Sequence, residues 1–114
     1  MHETRFINEI FAVLKEKLNK DRTERRVAVN VRLSPFSHVM PEGLQESFRE
    51  LSKGEGFKNV CLNILPLEII LKCNNCKRTK TIIKRAFSCP FCNSADVNLQ
   101  MDKEFFVESI EIEN

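Results

Sequence analysis

Cys73-Asn74-Asn75-Cys76 and, after twelve intervening residues, Cys89-Pro90-Phe91-Cys92 decide how this 114-residue chain is read. Each is a C-x2-C knuckle, which bends the backbone so that two sulfurs reach one metal ion. Amides in the turn stabilise the thiolate charge. Two knuckles supply four thiolates, the donor set of a tetrahedral Zn²⁺ with Zn–S near about 2.3 Å. A closed four-sulfur shell leaves no position for water, so such a zinc is structural rather than catalytic. The spacer is slightly shorter than the usual zinc-ribbon range but long enough for a hairpin. A pair of disulfides and an iron–sulfur or redox dithiol site are the alternatives. A reducing compartment favours metal over disulfides.

The chain around the knuckles is basic, with Lys72, Lys77, Arg78, Lys80, Lys84 and Arg85. These cations offset the double negative charge of a zinc tetrathiolate. They also raise nucleic acid as a partner, but the whole chain carries 18 Lys and Arg against 16 Asp and Glu. A net +2 disfavours that reading. A segment of about 30 residues cannot hold itself folded without a metal or disulfides. Phe91 inside the second knuckle reads as packing for the ribbon. Cys61 is the odd cysteine, placed in a strand with its side chain away from the core, and reads as a partly buried thiol rather than a metal ligand.

Upstream, Phe6, Ile7, Ile10, Phe11, Val13, Leu14 and Leu18 recur at three- and four-residue steps, which predicts an amphipathic helix from Glu3 to Lys20. Asn19 to Glu24 is polar and reads as a loop. Val27, Val29, Val31 and Leu33 alternate with Ala28, Asn30 and Arg32, a half-buried strand. Ser34-Pro35-Phe36-Ser37-His38 breaks it. Pro41 opens a second helix with Leu44, Phe48 and Leu51 as its buried stripe, ended by Gly54 and Gly56. Val60, Leu62 and Ile64 form a second strand, interrupted at Pro66. Leu67 to Lys72 runs extended into the first knuckle, and Thr79–Lys84 and Val97–Met101 are short strands. Phe105–Ile112 is a returning strand with Phe106, Ile110 and Ile112 on one face.

The resulting fold class is α+β, a small three-stranded sheet with two helices plus a four-cysteine zinc-ribbon module. Residues 1–70 and 101–114 make the α+β domain, and residues 71–100 the ribbon. No apolar run approaches the roughly 20 residues that span a bilayer. The N-terminus lacks a signal-peptide pattern, so the expected location is cytoplasmic.

His2 stands beside the α-amine of Met1. Its imidazole together with neighbouring backbone nitrogens makes a planar, nitrogen-rich set that suits Ni²⁺ or Cu²⁺ better than Zn²⁺. Glu3 adds a carboxylate, as a ligand or behind the ligands. A solvated terminal histidine is the bland alternative.

Met1-His2-Glu3 opening directly into an amphipathic helix, the two late C-x2-C pairs and the closing Glu108-Ser109-Ile110-Glu111-Ile112-Glu113 together resemble the HypA family of hydrogenase nickel-incorporation proteins. The likeness covers nearly the whole chain. It implies a metallochaperone, not an enzyme, with structural Zn²⁺ and transient Ni²⁺ cargo. It implies His2 and Glu3 as the nickel site and Cys73, Cys76, Cys89 and Cys92 as the zinc ligands. The implied partners are a maturation GTPase and the large subunit of [NiFe]-hydrogenase, with urease as a further recipient in some organisms. Where the family carries an Ile-Gly-Glu-Leu-like segment, this chain has Val31-Arg32-Leu33-Ser34-Pro35-Phe36-Ser37-His38-Val39-Met40. Met40 matches a position that is acidic in some members, with Glu42 two residues on and His38 nearby. The alternative function is a divergent zinc-ribbon adaptor that binds protein or nucleic acid without delivering nickel.

Overall fold

Helix α1, His2–Leu18, forms because its apolar residues fall on one stripe, with Glu3 in the first turn and Lys15 and Lys17 in the last, each complementing the helix dipole. The computed structural model describes residues 2–18, 26–57 and 59–113, with the side chains of His2 and Glu55 left out of that description. Met1 and the Asn19–Glu24 loop expected from sequence lie outside the described residues. Strand β1, Val27–Leu33, shows the anticipated alternation, with Val27, Val29, Val31 and Leu33 buried.

Helix α2, Pro41–Glu55, begins at the expected proline and ends at Gly56, whose φ of 81° is left-handed and costs a side-chain-free residue least. Leu44 and Phe48 are buried, but Leu51 is 45% exposed and Ser52 takes the third place on the inner stripe. The i, i+4 step from Phe48 leads to Ser52, so Leu51 falls on the flank. Strand β2, Val60–Pro66, is followed by β3, Ile69–Cys73; β4, Thr79–Ile82; β5, Val97–Gln100; and β6, Phe105–Ile112.

Two three-stranded sheets result, ordered β2-β1-β6 and β4-β3-β5. In the first, β1 is central, parallel to β2 through α2 and antiparallel to β6. The residues after Pro66 start a strand of the second sheet rather than extending the first. Both helices cover one face of the first sheet, α1 over β6 and α2 over β2. Between them lies a core of 16 buried residues among those described, from Phe6 and Ile7 through Val29, Val31, Leu44 and Phe48 to Phe105. Phe6 stacks on Phe105 with ring centroids 4.5 Å apart.

The expected inner face of β6 needs correction. The register slips between Asn30 and Val31, so Val31 pairs with Val107 while Asn30 pairs with Ser109. The extra residue, Glu108, is a bulge that switches side-chain parity. Phe105, Val107 and Ile110 therefore meet the core, whereas Phe106 points the other way, opposite Arg32. The uncovered face is polar: Asn63 donates to Asn30 Oδ1 at 2.9 Å, Asn30 donates to Ser109 Oγ at 3.0 Å, and Arg32 binds Glu108 at 3.1 Å. Cys61 is exposed, away from the core as expected but not the partly buried thiol that its place in the strand suggested.

Candidate metal sites

The second sheet carries the knuckles. Cys73 closes β3, and Cys76 ends the turn that follows it. Each knuckle is closed the same way: Cys73 N–H donates to Arg78 O at 2.9 Å, and Cys89 N–H donates to Ser94 O at 2.8 Å. Just past each second cysteine, Lys77 (φ 66°) and Asn93 (φ 65°) take the left-handed conformation that reverses the chain. Asn is among the residues that tolerate it, and Lys bears more strain there. Asn74 ties the knuckles together, donating from its backbone to Asp96 O and from Nδ2 to Asp96 Oδ1 at 3.0 Å.

All four sulfurs lie within 4.8 Å of one another, with Cys73–Cys92 and Cys76–Cys89 each 3.6 Å apart. A tetrahedral site with Zn–S of about 2.3 Å has sulfurs about 3.8 Å apart, so the set fits such an ion. Among the described residues this is the one cluster of three or more His, Cys, Asp or Glu that could hold a metal. Backbone amides of Asn75 and Cys76 reach Cys73 Sγ at 3.3 and 3.4 Å, and that of Phe91 reaches Cys89 Sγ at 3.3 Å.

Before any metal charge is counted, this geometry already separates the thiols. The backbone N–H at Ser94 and the Asn75 side-chain amide pull Cys92 down to about 6. Burial raises Cys89, but amides of Cys92 and Phe91 outweigh it and leave the thiol below its ordinary value. At Cys76 the Arg78 N–H pulls down, yet burial and the three neighbouring sulfurs push it up to about 11. Two of the four thiols thus lie below their ordinary pKa and one above it. Asn75, whose Nδ2 lies 3.6 Å from Cys92 Sγ, carries no motif signal beyond its place inside the knuckle.

Phe91 is 49% exposed, with the Arg78 guanidinium 5.0 Å and the Lys80 ammonium 5.8 Å from its ring centre. It covers the ribbon as a cation-faced plate rather than a buried plug. Arg85 does not face the knuckles: its Nε donates to Pro35 O at 2.6 Å and its Nη2 to Ser37 O at 2.9 Å. Phe36 meets Phe87 edge-on at 5.7 Å. The Ser34–Met40 loop, which sequence reads as a strand breaker, is therefore the seam between the two sheets. Ser37 Oγ donates to Glu104 Oε2 at 2.5 Å, and Glu104 faces Arg5 of α1 at 3.7 Å. His38 is exposed, and Met40, 59% exposed, is the α2 N-cap residue and makes no side-chain cap bond.

At the far end of the chain, His2 is the first residue of α1; its imidazole lies outside the described residues. The first N–H groups of a helix have no intrahelical partner, so the His2 and Glu3 nitrogens can serve a metal without breaking a helical bond. Glu3 accepts a hydrogen bond from Ser47 Oγ of α2. The structure thus sets Glu3 against α2, a contact no sequence pattern announced.

A two-helix, three-stranded α+β layer with an appended four-cysteine ribbon able to hold a metal ion defines the class: a small α+β protein with a zinc-ribbon-type metal site. A family model described as "Hydrogenase/urease nickel incorporation, metallochaperone, hypA" matches residues 1–112, and the chain belongs to the HypA family. Among curated relatives, a hydrogenase maturation factor HypA from Desulfatibacillum aliphaticivorans is 32% identical, covering 98% of this chain and 87% of its own length. One from Methylocella silvestris is 28% identical over 99% of this chain and all of its own. Two solved structures share the fold. The solution structure of the nickel metallochaperone HypA from Helicobacter pylori has a TM-score of 0.57 at 19% identity, covering 96% of each chain. A second HypA solution structure has a TM-score of 0.62 at 21% identity, covering 98% of this chain and 96% of that one.

Proposed function

We propose that this chain carries Ni²⁺ to the large subunit of [NiFe]-hydrogenase, working with a maturation GTPase, in the cytoplasm. The observation that supports this most is the family match over residues 1–112 combined with a helix that begins at His2. Nickel is cargo. The His2 imidazole and the unpartnered nitrogens at the start of α1 provide a strong-field, nitrogen-rich set suited to Ni²⁺. Glu3 stands behind them as a carboxylate near the positive end of the helix.

Cys73, Cys76, Cys89 and Cys92 hold a structural Zn²⁺, which supplies the cross-link that a ribbon of about 30 residues needs to fold. The protein is no enzyme on this reading: its chemistry is holding and releasing an ion. Residues 71–100 form one folding unit and residues 1–70 with 101–114 the other. In the folded chain they touch through Arg85, Phe36 and Ser37.

No helix among the described residues is long and apolar enough to cross a membrane.

Calorimetric nickel titration of zinc-loaded protein with its native N-terminus, set beside His2→Ala, tests this reading. One Ni²⁺ per chain, lost in the variant, is the expected result. Equal nickel binding by both proteins would favour the adaptor alternative instead.

A further inference from the structure

Gly43 and Ser47 stand four residues apart on α2, so they share one face of the helix a single turn apart. Both meet the same partner. Ser47 Oγ donates to Glu3 Oε1. A Cβ added at Gly43 would lie 3.0 Å from Glu3 Oε2, tighter than an ordinary contact. Glycine is the poorest helix former after proline, and Gly43 lies inside α2 with no left-handed φ to require it. Its missing side chain opens the notch in which the Glu3 carboxylate lies. The site also suits a negative charge, because Glu3 is in the first turn of α1 and Gly43 is in the first turn of α2.

We propose that Gly43 and Ser47 form a seat for the Glu3 carboxylate and thereby act as positioning residues for the nickel site. They touch no metal. With Glu3 held, α1 cannot turn about its axis or slide along α2 without breaking the Ser47 bond. The main-chain nitrogens of His2 and Glu3 are then presented in one orientation. Preorganised donors of this kind hold a metal in a single geometry at lower cost than mobile ones. This inference rests on the assignment of nickel to His2 and Glu3 made above.

The test uses the full, zinc-loaded chain with its native N-terminus, and Ser47→Ala, Gly43→Ala, Ser47→Thr and His2→Ala variants. Three readouts are taken: Ni²⁺ affinity, the position of the Ni²⁺ d–d absorption bands, and hydrogen exchange of the Phe6 and Ile7 amides without nickel. Ser47→Ala and Gly43→Ala are each expected to weaken nickel binding about tenfold, the lower end of the roughly 10- to 100-fold scale of losing an outer-layer contact. They should also shift the bands and quicken the exchange, while Ser47→Thr restores all three. The proposal is overturned if His2→Ala abolishes binding but the Ser47 and Gly43 variants keep native affinity and bands. It is overturned equally if those variants only lower thermal stability and leave the nickel spectrum unmoved. If His2→Ala binds nickel like the native chain, the nickel assignment fails instead. Faster Phe6 and Ile7 exchange in the seat variants then still reports whether α2 holds Glu3.

Discussion

On the proposed assignment of Zn²⁺ to the four cysteines, removing the metal should unfold the ribbon and spare the α+β layer. The second sheet buries Ile69, Leu71, Cys73 and Cys89, so only two large aliphatic side chains support it. Full burial of such a side chain contributes about 1.5–3 kcal/mol, which puts the pair at roughly 3–6 kcal/mol. A structural zinc in a small peptide supplies about 10–16 kcal/mol. Metal is thus the larger contribution, and without it the ribbon cannot offset the entropy of ordering its loops. The first sheet and its helices keep the 16-residue core and need no ion. Stripping zinc with a strong chelator under reducing conditions and recording amide NMR spectra tests this. Amides from Ile69 to Gln100 should collapse into the random-coil range, while those of α1, β1, α2, β2 and β6 stay dispersed. Dispersed ribbon amides after complete metal removal would contradict a metal-dependent ribbon, and collapse of β1 and β6 together with it would contradict an independent first sheet.

The thiols give a second prediction. Cys92 is held down to about 6 from an ordinary 9.0, in part by the Asn75 amide. A depressed pKa favours the thiolate above its ordinary value, and that advantage is lost as pH falls through the folded value. Asn75→Ala raises the Cys92 pKa, so acid-driven zinc release, followed with a chromophoric chelator, should move to higher pH by several tenths of a unit. In the core, Leu14 is fully buried, and Leu14→Ala should cost about 2–5 kcal/mol in denaturant unfolding of the first sheet, with zinc content unchanged. Arg85→Ala removes two hydrogen bonds at the seam from an exposed side chain. It should cost about 1 kcal/mol or less, yet make the two sheets tumble more independently in ¹⁵N relaxation.

The elements that sequence revealed are those set by local pattern. The Val27–Leu33 alternation, the α1 stripe and the two knuckles each carry their own periodicity or spacing, and each is found where expected. Most of the misreadings are non-local. The β6 bulge at Glu108 exists because of pairing with β1, and nothing within Phe105–Ile112 marks the change of face. Leu51 reads as core by hydrophobicity, but the sheet lies under Phe48 and Ser52. The seat for Glu3 joins residues 44 positions apart, and its one hint is a glycine early in a helix that needs none. The Ser34–Met40 loop departs from the family pattern in sequence, yet it makes the bonds that join the sheets. The four-sulfur cluster was legible in full because ligand spacing alone dictates it.

The nickel-loaded chain should be mixed with nickel-free hydrogenase large-subunit precursor and its maturation GTPase, with a competing chelator present to remove free Ni²⁺. Nickel on the precursor is then measured by elemental analysis after separation. Delivery from the loaded chain well above that from an equal amount of chelated Ni²⁺, and its loss in His2→Ala, is the predicted result. Equal delivery with the native chain, with His2→Ala and with no chain at all would contradict the assignment of nickel delivery.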